Sequence, residues 1–145
     1  MANYITQNFL PVKAHIKEHP AWFHRFDVLW TPTVLILDAG GVERFRSEGY
    51  LPRPEFRAQL AMGLARVDFM HKKFAEADRR YDEIIREHSN TSIVPEAMYW
   101  KWVSRYKNTN DHTVLGEAAK ELKQHRDSLW AKKHRSGRLE TGSCL

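Results

Sequence analysis

At 145 residues, 42% apolar and 28% charged, the chain has the balance of an ordinary globular protein, long enough for one domain or two small units sharing a core. No run approaches the ~18 apolar residues of a membrane-spanning helix, and Met1-Ala2-Asn3-Tyr4-Ile5-Thr6 lacks the basic start and apolar stretch of a secretion signal. The net charge of +5 owes much to Lys132, Lys133, Arg135 and Arg138, read as a solvated end rather than a phosphate-binding patch, and the single cysteine, Cys144, excludes an internal disulfide.

In chain order, residues 2–8 read as the end of a helix or a short turn. Phe9 to Ile16 alternates, with Leu10, Val12, Ala14 and Ile16 on one side and Lys13 and His15 on the other, which predicts a strand. Pro11 leaves one position of that strand without a donor. Pro20 opens a short helix carrying Trp22, Phe23 and Phe26. It must end before Pro32, because a residue preceding proline avoids the α region.

Trp30-Thr31-Pro32-Thr33 then runs straight into Val34-Leu35-Ile36-Leu37. A proline at the mouth of an apolar strand belongs at its first residue or at a cis bond, since it fixes φ and removes a ladder donor. The run after it predicts a strand buried on both faces. Gly40-Gly41 permits a tight hairpin, and Val42 to Ser47 alternates as a half-exposed second strand.

From Pro52 to about Met70 the spacing predicts an amphipathic helix with Phe56, Leu60, Gly63, Leu64 and Val67 inward. Further helices are expected on the stripe Phe74, Ala77, Tyr81, Ile84, Ile85 and His88, then from Pro95 to about Lys107, then from about Thr113 with Leu115, Ala118, Ala119 and Leu122 inward. From His134 the pattern stops, and residues 134–145 are expected to be a disordered tail.

Several residue groups invite a chemical reading. His15, His19 and His24 lie close together, but no cysteine and only Glu18 and Asp27 are near, so surface histidines are expected and no metal. His88 and His125 are read as favourable charges at helix C-termini. Tyr99, Trp100, Trp102 and Tyr106, with Lys101, Arg105 and Lys107, suggest a stacking surface for single-stranded nucleic acid. However, Tyr99, Trp102, Val103 and Tyr106 form a core stripe, which leaves Trp100 as the one aromatic expected to be exposed for interaction. Asp82-Glu83 sits among basic residues as solvated ion pairs. No Gly-rich phosphate loop, nucleophile elbow or His-Glu-x-x-His helix is present.

The order proline, strand, glycine hairpin, strand, Gly49 and proline-opened helix resembles the C-terminal half of the thioredoxin fold. The resemblance covers about residues 1–66 and rests on Trp30-Thr31-Pro32-Thr33, the double glycine and Gly49. It implies an α/β fold with a partial thioredoxin-like sheet, a cis Thr31–Pro32 bond, and no counterpart of the first strand, first helix and central strand. The missing central strand would lie between residues 9–16 and 33–37, leaving two open edges. Thiol–disulfide exchange needs a thiolate and a second, resolving thiol, and no Cys-x-x-Cys is present, so no catalytic residue is expected. What the resemblance leaves is peptide binding at Trp30, Thr31 and Pro32, with Thr31 offering backbone groups to an extended chain.

In the helical half, Ile85-Arg86-Glu87-His88 echoes Leu122-Lys123-Gln124-His125, with Thr91 falling on Ser128 in the same register. Together with Lys73-Phe74-Ala75-Glu76-Ala77, Tyr81 and Pro95-Glu96-Ala97-Met98-Tyr99-Trp100, this resembles tetratricopeptide repeats of ~34 residues. The organisation expected is therefore 1–66 thioredoxin-like, 67–133 tetratricopeptide-like and 134–145 tail. The function expected is a non-catalytic, cytoplasmic protein–protein interaction module without a cofactor, binding a protein or peptide or pairing with itself through open sheet edges, with nucleic acid and membrane unlikely as partners. The alternative is a fragment of a thiol–disulfide oxidoreductase whose Cys-x-x-Cys segment lies upstream.

Overall fold

The structure, a computed structural model, describes residues 1–140, with side chains through Arg135. Cys144 lies outside the described residues. The chain forms two units, one of Met1–Val34 with Ser47–Tyr50 and one of Leu35–Arg46 with the residues from Leu51 on. The division runs through the hairpin.

The first unit holds α1 (Ala2–Asn8), α2 (Pro20–Arg25) and the outer ends of β1 (Thr33–Leu37) and β2 (Glu43–Glu48). Pro20 stands in the first turn of α2, where its missing N–H costs nothing. The helix closes with the Phe26 N–H bonded to the Trp22 carbonyl, Val28 bonded to Phe23, and Asp27 in the left-handed region at φ 46°. The strand expected over residues 9–16 is not formed. The sheet has only β1 and β2, so the segment has no neighbour to pair with, and Leu10 (96% exposed) and Val12 (71%) face solvent. No residue of this unit is fully buried.

In the second unit β1 and β2 meet at a turn built by Asp38. Its Oδ1 accepts the N–H groups of Gly40 (2.9 Å) and Val42 (3.1 Å), and Gly41 takes the positive φ of 75° that the turn requires. Four long helical segments follow: α3 (Arg53–Met70), α4 (Phe74–Glu87), α5 (Val94–Thr109) and α6 (Val114–Leu122). After α6 the expected continuous helix breaks at a 3-10 turn (Lys123–His125). It restarts as α7 (Leu129–Glu140), whose Ala131 N–H donates to the Ser128 hydroxyl. Residues 134–140, expected in the tail, continue this helix.

Sequence periodicity gave α3 one apolar face, whereas its buried residues are Ala58, Leu60, Met62, Gly63 and Ala65. One side of the helix joins Tyr81, Ala77 and Ile84 of α4 and Ile93 and Ala97 around α5 in the main core. The other side meets the sheet at Gly63. A β-carbon built there would fall deep inside contact distance of Ile36 Cδ1 and within 3.0 Å of its Cγ1. Glycine is thus set by a close approach, despite costing about 1 kcal/mol of helix propensity relative to alanine.

Gly63→Ala is therefore expected to lower unfolding free energy by a net of about 1–2 kcal/mol, the overpacking loss exceeding the propensity gain. In an Ile36→Ala background the same change should become neutral or stabilising. Urea titration of the four variants checks this, and an unchanged effect in both backgrounds would contradict the contact.

Candidate functional site

The loop that leads into β1 is tied down at its two carbonyls. The Trp30 carbonyl accepts the Thr33 hydroxyl at 2.7 Å, and the Pro32 carbonyl accepts the Gly49 N–H at 2.8 Å. Gly49 takes φ 83°, so any side chain there would be strained by the backbone alone. The bond between Thr31 and Pro32 is cis.

These bonds hold the loop while leaving its outer surface bare. Thr31 is exposed, and among the described residues its backbone N–H and carbonyl meet no partner. Trp30 is 69% exposed, and the neighbouring Leu29 and Tyr50 are 86% and 91% exposed. Leu29 and Tyr50 were not singled out from sequence. Their place beside Trp30 and Gly49 was the available signal, but side-chain direction is settled only by the fold. The unit thus exposes three large apolar side chains, at Leu29, Trp30 and Tyr50, and the unengaged backbone of Thr31.

The other charged cluster sits at the hairpin tip in the second unit. The Asp38 Oδ2 accepts Arg44 Nε at 2.8 Å and lies 3.2 Å from His71 Nε2. The Val42 N–H, opposed by burial and joined by Arg44, His71 and the Gly40 N–H, holds the Asp38 carboxyl below the usual carboxylate range. The carboxylate is the structural anchor of the turn.

Trp100 is not the free surface aromatic that its position off the α5 stripe suggested. It packs against the main core, meets Phe69 edge-on at 5.3 Å, and lies under the Arg66 guanidinium at 4.1 Å from the ring centre. Tyr99 and Trp130 lean on the same ring system. Trp102 is buried and its indole N–H donates to Glu121. Lys101, expected in the basic aromatic surface, is buried to 6% exposure, with its ammonium 3.0 Å from Glu121 and 3.4 Å from Asp82. Trp100, Lys101, Trp102 and Arg105 of α5 are thus taken up by packing and ion pairs, whereas Lys107 is exposed.

His15, His19 and His24 are all exposed. The His15 Nδ1 accepts the Lys17 N–H at 3.3 Å, and His19 stacks on Trp22. Among the described residues no group of three or more His, Cys, Asp or Glu is arranged around a metal position, and no helix is long and apolar enough to cross a membrane. His88 closes α4, but burial, reinforced by the Arg57 charge, lowers its pKa. The expected helix-end stabilisation by a charged imidazole is therefore opposed at this position.

With the loop, hairpin and following helix in place, the family comparison becomes informative. Residues 2–63 match the thioredoxin-like domain. The match covers α1 through most of α3 and includes Trp30, Thr31, Pro32 and Gly49, and it stops short of α4 to α7. No curated protein and no solved structure matches the chain. The thioredoxin-like region contains no cysteine, so it cannot by itself supply either thiol for disulfide exchange.

The Asp38 anchor has a definite acid signature. Its pKa is depressed in the folded state, so its stabilisation is fully present above the ordinary carboxylate value of ~3.9 and is lost as pH falls below that towards the folded value. Asp38→Asn should melt at a lower temperature than wild type at pH 7. It should also lack the part of the wild-type decline that sets in below about pH 4. Thermal melts across that interval check both, and parallel declines would remove Asp38 as the source.

Proposed function

We propose that this protein is a non-catalytic, thioredoxin-like interaction module, acting in the cytoplasm, that binds an extended segment of another polypeptide along Trp30, Thr31 and Pro32. The observation that carries this is the exposed set Leu29, Trp30 and Tyr50 around the unengaged backbone of Thr31. An extended peptide would bond Thr31 through its main chain and lay apolar side chains on the three rings and branches, giving affinity by backbone pairing and selectivity by side-chain contact. The helical half, read as tetratricopeptide-like, serves as scaffold, because its best candidate for recognition, Trp100, is engaged in packing.

A second reading is favoured by the match of residues 2–63 to a thioredoxin-like domain. In it the chain is the C-terminal part of a thiol–disulfide oxidoreductase whose paired cysteines lie in a preceding segment. In-frame translation upstream of Met1 that revealed a Cys-x-x-Cys some tens of residues earlier would favour this reading over the first.

The interaction reading predicts that fluorescence anisotropy with a panel of labelled unstructured peptides detects binding that Trp30→Ala weakens by about tenfold or more, as for an anchoring aromatic. The same variant should shift unfolding free energy by no more than about 0.5 kcal/mol, since the side chain is exposed. Insulin reduction should show no turnover, in wild type and in Cys144→Ser alike. Sustained turnover in both would overturn the non-catalytic reading.

A further inference from the structure

We infer that the helical half binds a small oxyanion, a carboxylate or phosphate group, between Arg66 of α3, Trp100 of α5 and Lys133 of α7. The site lies wholly within the second unit and is independent of the Trp30 surface.

The argument is one of hydrogen-bond accounting. Buried donors in folded proteins are almost always bonded, so those without a partner call for an explanation. Among the described residues three buried side-chain atoms have none: Arg66 Nε, Tyr81 Oη and Trp100 Nε1. Each carries a hydrogen to donate. They share one neighbourhood. The Arg66 guanidinium carbon stands 4.1 Å from the centre of the Trp100 ring, and Nε is one bond from that carbon. Tyr81 is fully buried in the core against which Trp100 packs. Burial raises the Tyr81 pKa, the Arg66 charge opposes the rise, and Glu96 and Asp68 add to it.

Acceptors are what this neighbourhood lacks. Glu96 lies 3.5 Å from Arg66 Nη2, farther than the ~2.8 Å of a charge-assisted hydrogen bond, and leaves Nε unbonded. Asp68 is committed to Arg80 at 2.6 Å. Lys133 stands 4.0 Å from the centre of the Trp130 ring, which meets Trp100 at 6.2 Å, and it forms no ion pair among the described residues. Burial raises the Glu96 pKa, and the charges of both Arg66 and Lys133 oppose the rise. Two cations thus act on one carboxylate, which leaves a positive charge in excess beside the unbonded N–H groups.

A ligand that answers this inventory is negative and carries at least two acceptor oxygens. A carboxylate or phosphate does so. One oxygen accepts from Arg66 Nε and another from Trp100 Nε1, while the Arg66 guanidinium and the exposed Lys133 ammonium meet the charge. Sheltered from water, such bonds are stronger than at an open surface. A water molecule would satisfy the N–H groups but leave the excess charge unmet. The packing of the Trp100 ring is compatible with this role, because the ring faces are engaged while the N–H is not.

The test follows the indole N–H resonances of the five tryptophans in proton–nitrogen correlation spectra of the full chain. Trp100→Phe, which keeps an aromatic ring, identifies that of Trp100. Inorganic phosphate and acetate are titrated separately, with chloride exchanged to hold ionic strength constant. At least one should move the Trp100 resonance saturably while Trp22 and Trp30 stay in place. A response to phosphate alone assigns the site to phosphoryl groups, and one to acetate alone assigns it to carboxylates; either supports the inference, as does a response to both. Arg66→Lys, which keeps the charge and loses the Nε–H, should weaken binding about tenfold or more. Lys133→Ala, at an exposed position where folding is not at stake, should weaken it about threefold. A Trp100 resonance indifferent to both anions would overturn the inference. So would a response shared by all five tryptophans, or one whose affinity Lys133→Ala and Arg66→Lys leave unchanged.

Discussion

Helix α3 carries the second unit because it is buried on two sides at once. Through Gly63 it lies against Ile36 of β1, close enough that an added β-carbon would displace the Ile36 side chain. Through Ala58, Met62 and Ala65 it enters the core shared with Tyr81, Ile84 and Ala97. Small residues allow both approaches. A helix with one apolar stripe joins one neighbour and leaves its other face to solvent, whereas this one ties the hairpin to the helical array. The hairpin is further held by Asp38, whose carboxylate closes the turn and reaches His71 just beyond the end of α3.

The first unit is built differently. It contains no fully buried residue, yet it displays Leu10, Val12, Leu29, Trp30 and Tyr50 to solvent. A segment gains little from folding unless it removes apolar surface from water. Here the local order comes from turns, caps and the two carbonyl bonds at Trp30 and Pro32. The unit leaves this apolar surface and the backbone of Thr31 unengaged, which is what the proposed binding of an extended chain rests on.

Beyond α3 the charged residues play a structural part. The Lys101 ammonium lies between Glu121 and Asp82, and Arg105 makes a two-pronged bond to Asp78 at 2.9 and 3.0 Å with its guanidinium over Trp102. Glu96, pushed upward in pKa by burial, is partly compensated by Arg66 at 3.5 Å. Such pairs fix which face of α5 meets α4 and which meets α6, because breaking one leaves a charge in a poorly solvated place. They also draw Lys101, Arg105 and Trp102 of this basic, aromatic-rich helix into contacts within the protein.

What the sequence determined alone is the part governed by local rules. Proline and glycine punctuation placed the Pro32 loop, the Gly40-Gly41 hairpin and the start of α3. Helical spacing located α3, α4 and α5 within a residue or two. The missing cysteines settled that the thioredoxin-like region lacks exchange chemistry of its own. Tertiary structure decided the rest, because burial depends on neighbours that spacing cannot reveal. Alternation at 9–16 specifies a strand only when another strand lies alongside, and none does among the described residues. Leu60 and Gly63 lay on the expected stripe of α3, but its second buried side, with Ala58, Met62 and Ala65, fell off it. Trp100 read as exposed until Arg66, Phe69 and Trp130 closed over it, and the exposure of Leu29 and Tyr50 was settled only by the folded loop.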